Sequence, residues 1–308
     1  MPPSKTPVPD HATPADGPPA RGSDDVRPGH PPRLGAVVLT VFAALAVYLV
    51  LAALLGPDGD PRYNFAFEQG TVTMLSTAML MASTCLAAAT VWATRGEGGR
   101  TRLLWVTLTL VMAYFTVDEV MEFHESFGVF MKERRVPTGP FRNWNDIIVI
   151  AYGVIAVPVA LLVWREVLRF HRLFTMLVLA GLCYVGTTAV DTFSSDPTTV
   201  TTIVEETLKV SCSTLFALSM ATGFAAARWL GSGSSAGRLT VGDGAIAVTG
   251  FLVPMCLAPA AIVLTTSDTG RDLISWAGAV IGAGIVLLAI ERTAMRSDAA
   301  QEPVTTRS

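Results

Sequence analysis

The chain reads as an all-α, polytopic transmembrane helical bundle of about eight spans, with both termini cytoplasmic. Three observations predict this. Hydrophobic residues make up 51% and charged residues only 15% of the 308 positions, whereas soluble domains carry about 25% charged residues. The apolar residues are also gathered into runs close to the roughly 18–20 residues that cross a bilayer. Arginine and lysine, finally, concentrate in alternate connections, as the positive-inside rule requires. Helices are the expected element because they satisfy their own backbone hydrogen bonds in lipid. The net charge of −3, with no basic tract, excludes nucleic acid as a partner.

Residues 1–32 hold more than half of the chain's prolines, with many Gly, Asp and Arg. Such a segment cannot bury a core and is expected to be a disordered cytoplasmic tail, not a signal peptide. Spans are then predicted at 34–55, 71–94, 103–123, 146–164, 173–190, 203–229, 244–266 and 273–290. The first six form an expected core at 33–230. Gly231–Gly237, GSGSSAG, opens a flexible linker over 231–243. The last two spans make a hairpin, 244–291, with Gly278 and Gly282 as a GxxxG helix-packing signal. Residues 292–308 are expected to be a disordered tail.

Orientation follows from the connections. With the N-terminus inside, cytoplasmic segments hold 15 Lys and Arg and outer segments 6. The loop bearing Lys132, Arg134 and Arg135 runs against this trend and is read as an interfacial amphipathic segment. Trp92, Trp105, Trp164 and Trp229 fall near inner span ends, and Trp144 and Trp276 near outer ends, matching the interfacial preference of indoles. The four cysteines lie inside apolar runs without CxxC pairing, so they read as small buried thiols.

Against this apolar background one stretch stands out: Tyr114–Glu125, YFTVDEVMEFHE, at the outer end of the third span. A charge in or beside hydrocarbon is costly unless paired or hydrated, so an ionisable cluster there is a site hypothesis by default. The fifth span ends on the same side at Asp191, and the sixth begins there with DPTTVTTIVEETLK, where Asp196 and Pro197 suit a helix cap and first turn. In a straight helix Asp118, Glu122 and Glu125 share a stripe within about 60°, Glu119 lies at its edge and His124 points away. Glu205, Lys209 and Cys212 share a face of the sixth span, and Tyr184, Thr187, Thr188 and Asp191 a face of the fifth.

Two chemistries fit such a set. Carboxylates with an imidazole suit a divalent cation, with Asp118, Glu122, His124, Glu125, Asp191 and Glu205 as candidate ligands. The cofactor, if there is one, is thus a divalent cation. Alternatively Asp118, Glu119 and Glu122 perform acid–base work, with Lys209 orienting an anionic group. Both describe a membrane enzyme acting on a lipid or lipid-linked substrate at the extracytoplasmic side of a cell membrane. The competing classes are a proton- or cation-coupled transporter and a non-catalytic membrane partner or sensor. In the last, the acids merely hydrate helix ends or complement a helix dipole. Inner-half polar residues such as Ser83, Thr84 and Thr107 offer little of the path that a transporter needs.

The DExxxxHE pattern from Asp118 to Glu125, followed by the pair Glu205–Glu206 opening a later span, resembles a pattern of uncharacterised bacterial multi-pass membrane proteins. The resemblance covers spans three to six and implies no activity. Membrane hydrolases related to alkaline ceramidases are typified by several histidines, including HxxxH. Here only His124 is suitably placed and no HxxxH exists, so a three-histidine zinc site is not expected.

Overall fold

The computed structural model describes residues 34–56, 60–65, 70–139, 141, 143–193, 198–232, 241–265 and 267–301. All regular structure among them is helical: α1 (Leu34–Leu54), α2 (Arg62–Phe65), α3 (Thr71–Ala93), α4 (Gly99–Met121), α5 (Phe123–Glu133), α6 (Trp144–Arg169), α7 (His171–Phe193), α8 (Thr199–Ser232), α9 (Val241–Leu264) and α10 (Asp268–Gln301). Eight are long and apolar enough to cross a bilayer: α1, α3, α4, α6, α7, α8, α9 and α10. The expected tail over 1–32 and most of the linker lie outside the described residues.

Position in the bundle follows side-chain size. α8 is central, with 89% of its apolar window buried, against 6% for α6. Its buried face is built from small residues, Ala217, Ala221, Ala225 and Ala226 with Ser213, Thr214, Ser219 and Thr222. Small residues let helices approach closely where lipid supplies no hydrophobic drive to associate. α3 answers with Ser76, Ala78, Ala82, Ser83 and Ala87, and Ser76 Oγ donates to Ser213 Oγ at 3.2 Å. Gly223 leaves room for the Trp105 ring, which a Cβ there would overlap. By contrast α6 and α7 expose Val154, Ile155, Leu161, Leu162, Leu182 and Val185. Those faces meet lipid.

The terminal hairpin is docked on the bundle. α9 and α10 cross where Gly250 and Gly282 bring backbones together, and Gly278 sits against Leu257. At the far end Arg228 forms a two-pronged ion pair with Glu291, Nε–Oε1 at 2.7 Å and Nη2–Oε2 at 2.8 Å. Arg296 reaches the buried Asp243 at 2.8 Å. α10 runs on to Gln301, past the expected span end at 290.

Other expectations change too. Trp105 and Trp229, expected near inner span ends, are buried against protein: Trp105 is 0% exposed and packs edge-on at 5.6 Å against Phe170, the residue between α6 and α7. The Trp105 indole fills the space that Gly223 of α8 leaves open. Cys256 is exposed, while Cys212 is buried. The expected caps Asp196 and Pro197 lie outside the described residues. Thr198 and Thr201 cap α8 reciprocally: the Thr201 N–H donates to Thr198 Oγ1 at 3.2 Å, and the Thr198 N–H to Thr201 Oγ1 at 2.8 Å.

Candidate functional site

The site is made by a break in the chain. α4 ends at Met121, and Glu122 takes the left-handed conformation, φ 51° and ψ 39°. A residue with a Cβ pays about 1–2 kcal/mol there, so the surrounding packing holds it. α5 then turns across the end of α6. Gly128 makes this possible, because a Cβ would overlap the Asn145 side chain. Phe127 meets Trp144 at 6.5 Å, and Trp144 Nε1 donates to the Val136 carbonyl at 3.1 Å. Phe123, Phe127, Val129 and Phe130 remain exposed on α5, as suits a helix lying in the interface.

The turn carries His124 back onto α4. His124 Nδ1 lies 3.0 Å from Asp118 Oδ2, and Tyr152 OH donates to Asp118 Oδ1 at 3.2 Å. His124 Nε2 stands 3.8 Å from Glu125 Oε1. Burial alone would lower the imidazole pKa. The Asp118 hydrogen bond and the negative charges of Asp118 and Glu125 outweigh it, and raise the pKa above the ordinary histidine value. Beside Asp118 on α4, Glu119 Oε1 pairs with Lys209 Nζ at 2.9 Å, tying α8 to α4.

These groups wall a cavity of about 370 Å³ between α4, α6, α7 and α8. Asp118, Glu119, His124 and Glu125 line it from α4 and α5, Asp191 from α7, and Glu205 and Lys209 from α8. Tyr184, Thr187 and Thr188 of α7 and Cys212 of α8 line it as well. Tyr184 OH donates to the Val149 carbonyl at 2.8 Å, and Thr187 Oγ1 to the Glu205 carbonyl at 3.2 Å, locking α7 to its neighbours.

Glu122 does not join this set. It lines an adjoining cavity of about 240 Å³ with Thr73, Asp272 and Trp276, and Glu119, His124, Glu125 and Lys209 line both cavities. The straight-helix stripe of Asp118, Glu122 and Glu125 is therefore corrected. The left-handed residue rotates everything after it, removing Glu122 and bringing in His124. Five of the six candidate metal ligands, Asp118, His124, Glu125, Asp191 and Glu205, line the 370 Å³ cavity, while among the described residues no three His, Cys, Asp or Glu are grouped so as to hold a metal ion. Both Asp118 oxygens already face His124 and Tyr152, and Glu122 lies in the other cavity.

Sequence reasoning missed Tyr152, Phe115 and Phe216, all of which line the cavity. One signal could have found part of this. Tyr152 and Tyr184 fall at similar depths of two different spans, as a shared polar pocket would favour.

Eight bilayer-length apolar helices make this an integral membrane protein. The chain belongs to the family described as domain of unknown function DUF8692, whose model matches residues 33–223. All residues lining the 370 Å³ cavity fall within that match. No curated protein and no solved structure matches the chain.

Proposed function

We propose that the chain is a membrane-embedded enzyme whose cavity performs acid–base chemistry on a lipid or lipid-linked substrate at the extracytoplasmic face. The observation that carries this reading is the Asp118–His124 contact at 3.0 Å inside a membrane-level cavity. A carboxylate on Nδ1 fixes the imidazole tautomer and leaves Nε2 to take or give a proton, the arrangement general-base histidines use. Tyr152 holds the other oxygen of Asp118 and so sets its angle. His124 is the proton-transferring group, and Asp118 and Tyr152 position it. The lipid-facing surfaces of α6 and α7 flank the cavity and suit lateral entry of an amphiphile.

The donor geometry favours acid–base work over a carboxylate-held divalent cation. Transport finds less support. Below the cavity, the Ser83 and Thr84 hydroxyls donate to backbone carbonyls four residues back. Leu86, Leu104 and Trp105 are fully buried there, so the hydroxyls act as packing groups and not as a path.

The test is turnover. Purified protein is incubated with a lipid extract of its host membrane, and changed species are followed by mass spectrometry. His124→Gln should abolish conversion and Asp118→Asn should lower it by about 10²-fold or more, in the range of lost acid–base catalysis. Conversion by His124→Gln at the wild-type rate, or no lipid changed by wild type, would sink the enzyme reading.

A further inference from the structure

We infer that α5 docks on anionic phospholipid, with lipid phosphate on Lys132, Arg134 and Arg135, and that this docking seats His124 against Asp118. This rests on the Asp118–His124 contact, not on turnover there.

α5 carries an apolar face with no protein against it. Phe123, Phe127 and Phe130 recur at i, i+4 and i+7, one side of a helix, and all three are exposed. α4 exposes Leu110, Tyr114, Val117 and Met121 with the same period, and that stripe ends where α5 begins. The lipid-facing stripe of a membrane span thus runs on into the three rings, and acyl chain is what covers them.

The basic residues lie at the end of the same helix. Lys132, Arg134 and Arg135 are exposed, with Glu133 the one acid among them. Topology does not account for them, since they run against the positive-inside trend. Arg134 lays its guanidinium over the Phe130 ring, 3.8 Å from the centroid. A helix dipole favours cations at this end, but it does not place one on a lipid-facing ring. A ring topped by a guanidinium matches an acyl chain topped by a phosphate. Arg135 adds an independent sign. α5 closes with the Val136 N–H donating to the Met131 carbonyl at 3.2 Å and the Arg135 N–H to the Lys132 carbonyl at 2.9 Å. That closure favours glycine at position 135, yet arginine stands there at φ 55°. Strain retained in this way points to a role for the guanidinium.

Helix geometry couples this surface to the site. His124 and Gly128, at i and i+4, form the face of α5 turned to the protein, about 100° round from the three rings. Gly128 is the only buried residue of α5, and the left-handed Glu122 is its pivot on α4. Rolling α5 to hide its rings from water would carry His124 off Asp118. Acyl chain against the rings and phosphate on the basic end hold the angle at which the two meet.

Two measurements on the purified full chain test this. In dodecyl maltoside, with phosphatidylglycerol and phosphatidylcholine of the same acyl chains offered equally, bound lipids are counted by native mass spectrometry. Wild type should retain at least one more phosphatidylglycerol than the triple variant Lys132→Ala, Arg134→Ala, Arg135→Gly, with phosphatidylcholine unchanged. In nanodiscs, replacing phosphatidylcholine by phosphatidylglycerol should raise the Tm of wild type by more than that of Asp118→Asn, and this difference should vanish in the triple background. His124→Gln serves in the comparison if Asp118→Asn fails to fold. An equal phosphatidylglycerol count in wild type and triple variant overturns the lipid site. Dimers in place of bound lipid would assign the rings to a second copy of the chain and overturn it likewise. Equal Tm shifts in wild type and Asp118→Asn overturn the coupling, as does a difference that survives in the triple variant, which reports only surface potential acting on His124. No turnover is read, so a catalytically silent protein leaves the lipid site standing, and loss of the lipid site leaves the acid–base reading standing.

Discussion

At the scale of single residues, His124 shows how geometry decides chemistry. Its side chain is 18% exposed, and that burial by itself lowers the imidazole pKa, yet Asp118 and Glu125 raise it above the ordinary histidine value. The consequence for stability has a definite sign. A histidine whose folded pKa lies above its unfolded value, about 6.5, stabilises most below that value. Its contribution is lost as pH rises through the folded pKa. Wild type should therefore exceed Asp118→Asn in Tm by more at pH 6 than at pH 9. A gap that stays constant, or widens toward alkaline pH, would show that Asp118 does not support the protonated ring. Lys209 and Glu119 make the complementary point: their 2.9 Å contact leaves each charge answered within the protein, the usual condition for an ionisable group at membrane depth.

At the scale of elements, the α4–α5 junction organises the site. Glu122 sits at φ 51° without being glycine, and only packing on both sides keeps it there. Glu122→Gly relieves the left-handed strain, partly offset by glycine's greater unfolded-state entropy. It should be neutral or stabilising by up to about 1 kcal/mol. Glu122→Val, β-branched and disfavoured at positive φ, should cost about 1–2 kcal/mol. Thermal denaturation of the purified variants measures both. If valine were tolerated better than glycine, α4 would have to run on unbroken, and His124 would point away from Asp118. At the same junction Gly128 lets α5 pack against Asn145 of α6, whose side chain would have to shift to admit a Cβ.

At the scale of the whole molecule, burial is graded from α8 at the centre to α6 and α7 at the lipid. That gradient sets the cavity beside the most lipid-exposed helices and leaves the apolar core beneath it. The terminal hairpin is tied in by the α9–α10 glycine crossing and the Arg228–Glu291 and Arg296–Asp243 pairs. Gly282→Val forces a side chain against the Gly250 carbonyl and should destabilise by about 1–3 kcal/mol, the usual cost of overpacking. Gly284→Ala, with nothing within 4 Å of the added carbon, is the control and should be neutral or better, since alanine is the stronger helix former. Equal Tm losses in the two variants would argue that helix crossing at Gly282 is not what fixes the hairpin.

Much of this molecule was legible in its sequence, for reasons that can be named. Long apolar runs oblige the backbone to form helices in lipid, so the helical class and the eight spans follow from composition and spacing alone. Helical period likewise places Tyr184, Thr187, Thr188 and Asp191 on one face, and Glu205, Lys209 and Cys212 on another, without reference to any neighbour. What period could not supply was a residue that leaves the helix. One left-handed glutamate exchanged Glu122 for His124, and no local pattern marks it, because its strain is offset by contacts distant in sequence. The burial of Trp105 was hidden for a similar reason, since the space it fills is left by Gly223 on another helix. Local rules determined which segments cross the membrane. Contacts between segments decided which side chains meet, since strain at one residue persists only where packing elsewhere compensates it.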